Sequence, residues 1–239
     1  AFPVVNTDWD NDGISHLLCQ LMGGQMDIDT ITKCRLVNID FPKCVEDKFL
    51  GPKYGISGMR EFTGQHEKPL FGSIIKPKIG LTPEQLLDMT KQLVDGGVDF
   101  IKEDEIMSNP SFCSLEDRVE IISDYINNCG RNVVYSFCVN SDPHDILNRV
   151  KFVHENGGNG VHLNDEDELR TTLKILRDRN VVPALSCGMN AELIKPINEK
   201  FGTDYMANVG GAIHGDSDGT TAGALKIRKA IEHEMCYSS

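Results

Sequence analysis

Residues 69–105 decide the fold, and they read PLFGSIIKPKIGLTPEQLLDMTKQLVDGGVDFIKEDE. The apolar run at 70–75 has the length and the β-branched residues of a strand. A Thr-Pro pair at 82–83 then supplies an N-cap and an N1 proline for a helix that ends at the glycines 96–97. Another apolar run follows at 98–102. Strand, helix and strand in this order predict a βα unit of a parallel sheet.

The same alternation continues to the end of the chain. Strands are predicted at 70–75, 98–102, 133–139, 160–163, 181–186 and 205–209, and helices are predicted to begin near 82, 114, 142, 165, 191 and 219. This pattern gives six βα units, whereas a complete (β/α)₈ barrel takes about 250 residues. The expected fold class is therefore α/β, a reduced or incomplete TIM-type barrel of about six βα units.

The first part of the chain lacks this alternation. It contains a predicted helix at 13–22 and a candidate strand at 34–39. We expect a partial N-terminal α+β region at 1–69 and a truncated barrel at 70–239. The chain begins Ala-Phe-Pro without an initiator Met, so we expect a processed or incomplete form.

Composition excludes several functional classes. No uncharged stretch approaches the roughly 18 apolar residues of a membrane span. The net charge of -12 argues against a nucleic-acid partner, because the phosphate backbone would be repelled. The eight cysteines include no C-x-x-C pair, so neither a zinc knuckle nor a disulfide framework is expected. Cysteines within apolar runs, such as Cys138, favour a soluble protein of a reducing compartment, either the cytoplasm or an organelle stroma such as the plastid's.

Two lysines, Lys76 and Lys78, follow the first predicted strand. Barrel active sites lie at the carboxyl ends of the strands, and a spacing of two directs both side chains the same way. Lysine at this position suits proton transfer or the stabilisation of an enolate. A solvated loop is the alternative interpretation.

A lysine and three carboxylates end the second predicted strand, at Lys102, Glu103, Asp104 and Glu105. Crowded carboxylates are costly unless a cation balances them, and a hard divalent ion with oxygen ligands would do so. An ammonium group cannot bind a metal, so Lys102 would fit such a site only as a carbamate. An ordinary acidic loop is the alternative.

Together, IIKPKIGL at 74–81 and DFIKEDE at 99–105 resemble the KPK and K-x-D-E motifs of the RuBisCO large-subunit superfamily. The resemblance implies that CO₂ carbamylates Lys102, which then binds Mg²⁺ with Asp104 and Glu105. It further implies that Lys76 and Lys78 are the catalytic lysines.

Two later segments, 183–188 and 209–211, resemble the seventh and eighth strands of that family. The resemblance implies phosphate binding by Ser186, Gly210 and Gly211. From the residues alone, the two glycines are typical of a turn. His162 either faces the site or is a structural histidine, and His214 with Asp216 either lines a phosphate pocket or belongs to a polar loop.

The chain departs from the family between residues 163 and 181, where there is room for a single helix. The family's fifth and sixth strands are therefore expected to be absent. With them would go catalytic and phosphate-binding His and Arg residues, and the flexible loop whose lysine closes over the substrate. Carboxylation of ribulose bisphosphate is not expected.

Three hypotheses follow. The favoured one is a shortened, form IV-like RuBisCO-like protein that acts as a pseudoenzyme, a structural or interaction subunit, because exposed barrel edges need a protein partner or a second copy. The alternative is a Mg-dependent lyase or isomerase that enolises, isomerises or decarboxylates a phosphorylated sugar-derived substrate. The third is an incompletely known sequence of an intact enzyme.

Overall fold

The structure is a computed structural model that describes residues 3–10, 16–17, 39–48, 54–163, 182, 184–186 and 188–233. It divides into two compact units, Ala1–Lys53 and Tyr54–Ser239. The domain boundary predicted from the sequence follows residue 69. Arg60 belongs to the second unit, where its guanidinium donates to the Thr203 carbonyl at 2.9 Å and pairs with Asp204 at 3.0 Å.

The first unit contains two helical segments with defined bounds in its described part, and residues 16–17 are also helical. The two bounded segments are the 3₁₀ turn Val4–Asn6 and helix α1, Lys43–Glu46. The Trp9 ring meets the Phe41 ring edge-on, with 6.0 Å between centroids. Apart from residues 16–17 and 39, the predicted helix at 13–22 and strand at 34–39 lie outside the described residues.

The second unit is built on one sheet of six parallel strands in the order β4-β3-β2-β1-β6-β5. The strands are β1 Leu70–Ile74, β2 Phe100–Lys102, β3 Val134–Cys138, β4 Gly160–His162, β5 Ala184–Leu185 and β6 Met206–Val209. The predicted α/β fold, an incomplete TIM-type barrel, is confirmed, with six parallel strands. Among the described residues, strands β4 and β5 end the sheet.

Seven helices accompany the sheet within the described ranges. They are α2 Gly55–Thr63, α3 Pro83–Asp95, α4 Leu115–Asn128, α5 Pro143–Glu155, α6 Ala191–Phe201, α7 Gly211–His214 and α8 Thr220–His233. The sequence analysis missed α2 and the short α7. The helix predicted at 165–178 lies outside the described residues. None of the described helices is long and apolar enough to cross a membrane.

Helix starts follow from the capping residues that the sequence supplies. Thr82 and Gln85 form a capping box, in which each side chain binds the other residue's backbone N–H. Ser114 accepts from the Asp117 N–H at 3.1 Å and begins α4. Asp142 stands at the N-cap of α5, where the sequence predicts the start of a helix, but its side chain makes no capping hydrogen bond.

The strand register aligns the carboxyl-terminal residues of strands β1 to β4. Ile74 of β1 pairs with Lys102 of β2, and Lys102 pairs with Ser136 of β3. On β4, His162 pairs with Cys138. Because side chains alternate along a strand, residues aligned in this register, or two positions on, share one face of the sheet. The opposite face and the helices enclose the core, which includes Ile75, Leu86, Leu93, Ile101, Val119, Ile122, Phe137, Ile194 and Ile227.

Candidate active site

Two lysine–carboxylate pairs lie at the carboxyl ends of β1 and β2. Lys76 Nζ donates to Asp104 Oδ2 at 2.6 Å. Lys102 Nζ donates to Glu105 Oε2 at 3.0 Å. The chain therefore gathers at one sheet edge four of the five residues that the sequence analysis selected for catalysis and metal binding. The fifth, Lys78, is exposed.

Three side chains of this cluster are partly exposed to solvent, and the fourth, that of Asp104, is buried. The Asp104 side chain is 2% exposed and that of Lys76 is 29% exposed. The Lys102 and Glu105 side chains are 19% and 34% exposed. Partial burial raises the pKa of Glu105, but hydrogen bonds from Lys102 and the backbone, with the charges of Lys102 and Lys78, outweigh it and leave that pKa below its usual value.

Glu103, the third carboxylate of the motif, belongs to the interior instead. Its carboxylate accepts from Arg118 Nε at 2.9 Å, from the Tyr135 hydroxyl at 3.2 Å and from the Cys138 N–H at 2.8 Å. Glu103 and Arg118 are both completely buried. Burial raises the pKa of Glu103, and the charge of Arg118 opposes that rise.

These pairings correct one step of the sequence argument. The crowded carboxylates predict a divalent cation, yet each of the three has its own cationic partner. These partners are Arg118 for Glu103, Lys76 for Asp104 and Lys102 for Glu105. The loop is thus electrically balanced by protein groups. A metal site here needs an argument from donor chemistry, since charge balance alone does not demand one.

The loop that carries these carboxylates is fixed by the end of β3. The Glu105 carbonyl accepts from Asn140 Nδ2 at 2.8 Å and from the Cys138 thiol at 3.4 Å. The Asp104 carbonyl accepts from the Met107 N–H at 3.0 Å. The backbone at Asp104 and Glu105 is therefore held before any ligand binds, which favours a preformed site.

The donor set fits Mg²⁺ on one condition. Within the described residues, no three His, Cys, Asp or Glu side chains form a group suited to a metal. Asp104 and Glu105 offer oxygen atoms, and Lys102 would add a third anionic donor only as a carbamate. Carbamylation would change Lys102 from a cation to an anion. Glu105 would then lose its partner, and a divalent cation could replace the ammonium.

His162 lies beside this cluster with one ring nitrogen anchored. Its Nδ1 lies 3.2 Å from the Ser136 carbonyl oxygen. Its Nε2 is buried and makes no hydrogen bond in the part of the chain that the structure describes. Burial lowers the pKa of His162 to about 4, with the charge of Lys102 adding to the effect and Glu105 and Asp104 opposing it.

The three residues proposed for phosphate binding follow β5 and β6. Gly210 lies against Lys76, since a Cβ built on it would be 3.5 Å from the Lys76 Cε. A Cβ on Gly211 would meet open space. Ser186 is exposed and follows β5 directly, which pairs with β6. All three are near the sheet edge that carries the lysines, although the structure does not test their role.

His214 and Asp216 have structural partners. The His214 Nε2–H donates to the Ile74 carbonyl at 3.0 Å and thereby ties α7 to the end of β1. Burial lowers the pKa of His214, and the charge of Lys76 adds to that effect. Asp216 pairs with Lys226 at 2.7 Å. Of the two interpretations, the polar loop accounts for both contacts.

Asn208 is a polar residue of this face that the sequence analysis missed. It is buried, and its Oδ1 makes no hydrogen bond within the described ranges. A Cβ on Gly72, its partner in the register, would lie 3.0 Å from that oxygen. The available signal was period-two spacing, because Asn208 on β6 lies two residues before Gly210, which follows that strand.

Comparison with known proteins supports the interpretation of the two motifs. A model of the ribulose bisphosphate carboxylase large chain, catalytic domain, matches residues 55–174. A ribulose bisphosphate carboxylase-like protein of Archaeoglobus fulgidus is 32% identical over 98% of this chain and 70% of its own length. That alignment extends over 315 positions, more than the 239 residues present here, so it contains gaps where the relative has residues that this chain lacks.

A second relative carries a defined activity in its name. The 3-oxo-isoapionate-4-phosphate decarboxylase of Rhizobium etli is 33% identical over 69% of this chain. The matched region is 40% of that enzyme, so the chain spans about two fifths of its length. The fold is also found in the dimeric archaeal Rubisco of Hyperthermus butylicus, with a TM-score of 0.88 at 21% identity over 100% of this chain and 76% of that one.

Proposed function

Because the chain belongs to the family of the ribulose bisphosphate carboxylase large chain, catalytic domain, we propose that it is a Mg²⁺-dependent RuBisCO-like enzyme. In this proposal it enolises a phosphorylated sugar-derived substrate and so isomerises or decarboxylates it. The observation that carries the proposal is the convergence of Lys76 with Asp104 and of Lys102 with Glu105 at one edge of the sheet.

Lys102, Asp104 and Glu105 would hold the cation. Lys102 is partly exposed, so its amine is accessible to CO₂, and the carbamate would provide oxygen atoms beside the two carboxylates. When bound, Mg²⁺ would supply positive charge that stabilises negative charge developing on a substrate carbonyl oxygen. The anchored loop would keep Asp104 and Glu105 in place during turnover.

Lys76 and Lys78 would act on the substrate itself. Lys76 contacts Asp104, and Gly210 on its other side leaves space around the lysine side chain. In the proposal, one of these amines takes or returns the proton next to the carbonyl, and the other steadies the developing charge. Lys78 is exposed and acts on Glu105 through its charge, which suits contact with an anionic substrate.

The phosphate group of the substrate would bind at the carboxyl ends of β5 and β6, near the lysines. Ser186 would donate through its hydroxyl, and Gly210 and Gly211 would donate through backbone N–H groups. The open space above Gly211 permits a phosphate oxygen to approach its backbone. The name of the Rhizobium etli relative, which includes a phosphate ester and a decarboxylation, agrees with this substrate class.

A second candidate function is a structural subunit or pseudoenzyme, the hypothesis first favoured from the sequence. The observation in its favour is that the described residues form a six-stranded sheet with β4 and β5 as its end strands. The intact lysine–carboxylate pairs and the decarboxylase relative favour the enzyme instead. In either case we propose a homo-oligomer, as the Hyperthermus butylicus protein is dimeric.

Solvent-deuterium exchange tests the proposed enzyme. Phosphorylated ketoses and 3-oxo sugar acid phosphates would be incubated in D₂O with Mg²⁺ and bicarbonate, and deuterium incorporation next to the carbonyl measured by NMR. We expect exchange that requires Mg²⁺ and disappears in Lys102→Ala, whereas the surface variant Lys91→Ala retains it. Exchange that survives in Lys102→Ala would contradict the role given to Lys102. No exchange with any substrate would count against the enzyme and favour the structural subunit.

A further inference from the structure

A cleft lies between helices α4 and α5 and shares no residue with the candidate active site. Helix α4 packs on β3 and α5 packs on β4, so the two helices are neighbours. The cleft has a volume of about 510 Å³, within the range of sites that bind small molecules. Three carboxylates line it, those of Glu116, Glu120 and Asp124, and no lysine or arginine of the described residues does.

The three carboxylates form a line along α4. Because they are four residues apart in an α-helix, they share one face and follow each other at a rise of about 6 Å. Within the part of the chain that the structure describes, no cationic side chain pairs with any of them. Like charges at this spacing repel each other, so the line favours a cationic ligand.

The two amide groups of the cleft also present acceptors. Asn127 Nδ2 donates to the Gly157 carbonyl at 3.1 Å, and Asn156 Nδ2 donates to the Phe152 carbonyl at 2.8 Å. Each amide nitrogen is thus held against the backbone, and an amide oxygen can only accept a hydrogen bond. Carboxylates and amide oxygens together suit a ligand that donates hydrogen bonds.

The hydroxyl of Ser123 is an independent indication of a ligand. Ser123 lines the same cleft, three residues after Glu120 and four before Asn127, and it is 4% exposed. Its Oγ makes no hydrogen bond within the described residues, although a serine hydroxyl inside a helix often bonds to the carbonyl four residues earlier. Buried hydroxyls are usually paired, so an unpaired one beside a cleft indicates a polar ligand.

The spacing of the carboxylates excludes a metal ion and suits an extended organic cation. In the described ranges, no three His, Cys, Asp or Glu side chains form a group that could hold a metal. With bonds of about 1.5 Å at angles near 111°, four methylenes separate the nitrogens of a diamine by about 6 Å, which matches one step of the line. The partly buried Phe152 ring on α5 would pack against the methylenes and attract an adjacent ammonium.

We propose that this cleft binds an aliphatic polyamine, a linear chain of two or three ammonium groups joined by methylenes. Each ammonium pairs with one carboxylate of α4, and one ammonium also donates to the Ser123 hydroxyl. The net charge of -12 attracts such cations from solution. This site is independent of the proposed function, because none of its residues belongs to the lysine–carboxylate pairs.

Calorimetric titration of the full chain with spermidine, 1,4-diaminobutane and n-butylamine at low ionic strength tests the proposal. We expect the triamine to bind most tightly, the diamine less tightly, and the monoamine more weakly than the diamine by roughly tenfold or more. Glu120→Gln should weaken binding of the triamine by roughly tenfold. The control Glu192→Gln makes the same change of net charge at an exposed position of α6, and its affinity should stay within about twofold of the wild type.

Ser123→Ala separates ligand binding from a structural role. Removal of an unpaired buried hydroxyl should not lower the free energy of unfolding, but it should weaken binding of the triamine by about threefold or more. Unchanged affinity in Ser123→Ala, equal affinities in Glu120→Gln and Glu192→Gln, or no binding by the wild type would each overturn the proposal. A tetralysine peptide that binds more tightly than spermidine and depends on Glu120 would overturn it in favour of a protein partner.

Discussion

The carboxylates at the two ends of β2 are paired with different kinds of cationic side chain. At the amino end, Asp99 is 1% exposed, accepts from Arg228 Nη2 at 2.8 Å and from the Phe71 N–H at 2.9 Å. At the carboxyl end, Asp104 and Glu105 pair with lysines that remain partly exposed. The buried carboxylate at the amino end therefore pairs with arginine, and the accessible carboxylates at the carboxyl end pair with lysines.

The difference follows from the chemistry of the two cations. A guanidinium is always charged and forms several hydrogen bonds in a fixed plane, which suits a permanent support. Arg228 also donates to the Gly97 carbonyl and stacks on the Phe71 ring at 5.1 Å. A lysine amine is a single flexible point charge that can exchange a proton or react. The amino end is therefore built for stability and the carboxyl end for chemistry, as in barrels generally.

The boundary between the two kinds of pair falls inside one loop. Glu103 is balanced by buried Arg118, and the next residue, Asp104, is balanced by Lys76. If the comparison is right, substitutions on the arginine side should change stability without changing the site, and substitutions on the lysine side should do the opposite.

The largest loss of stability is expected from Arg118→Met. This change leaves the completely buried Glu103 without its cation, and breaking such a pair costs about 3–5 kcal/mol. Urea unfolding followed by circular dichroism measures the free energy of unfolding. A loss below about 1 kcal/mol would contradict the structural role given to this pair.

The double variant Arg118→Met with Glu103→Gln serves as its control. Because the second change removes the unpaired charge, the double variant should be more stable than Arg118→Met alone. The surface pair of Lys43 and Asp47 offers a matched comparison, and Lys43→Ala should have no measurable effect on unfolding.

Asp99→Asn should cause a smaller loss of about 2 kcal/mol. The amide oxygen can still accept from the Phe71 N–H, but the charged hydrogen bond from Arg228 is lost. Metal binding at the other end of β2 should match that of the wild-type protein. Weaker metal binding in correctly folded Asp99→Asn would show that the two ends are not separate.

Acid should destabilise the chain through His214. Its pKa is lowered from 6.5 by burial, with Lys76 adding to the effect, so below about pH 6.5 the unfolded chain takes up a proton that the folded chain does not. Stability is therefore complete above that pH and falls as the pH decreases, with a slope below the one-proton limit of about 1.4 kcal/mol per unit. Unfolding of His214→Gln measured from about pH 7.5 to about pH 5 should depend less on pH. An unchanged slope would remove His214 from this account.

Among the substitutions around β2, the smallest effect on stability is expected from Lys102→Arg. Arginine retains the pairing with Glu105, and a partly exposed pair contributes less than about 1 kcal/mol. Calorimetric metal titration should nevertheless show that binding in the presence of bicarbonate is lost, because arginine cannot form the carbamate. Metal binding equal to that of the wild-type protein would contradict the ligand role of Lys102.

Local features were predictable from the sequence and distant pairings were not. The capping box of Thr82 and Gln85 needs residues three apart, so the sequence predicts it directly. The six strands are also predictable, because each is a short apolar run of neighbouring residues. Helix α2 was missed because it starts at Gly55 in a left-handed conformation that carries no capping signal.

The candidate site shows the same limit. The motifs place Lys76 and Lys102 at strand ends, which the structure confirms. They do not say that Arg118 balances Glu103, nor that Arg228, 129 residues away in sequence, binds Asp99. Those pairings depend on how helices α4 and α8 pack on the sheet. The contact of the His162 ring with Ser136 likewise depends on the register of β4 with β3.

Carbon-13 NMR of the carbamate tests the central claim most directly, namely that Lys102 is the reactive lysine of the metal site. The wild-type protein would be equilibrated with ¹³C-bicarbonate, with and without Mg²⁺. We predict a carbamate signal that Mg²⁺ strengthens, that is absent in Lys102→Arg and that persists in the surface control Lys91→Arg. A wild-type protein without this signal, or a Mg²⁺-dependent signal that remains in Lys102→Arg, would contradict the claim.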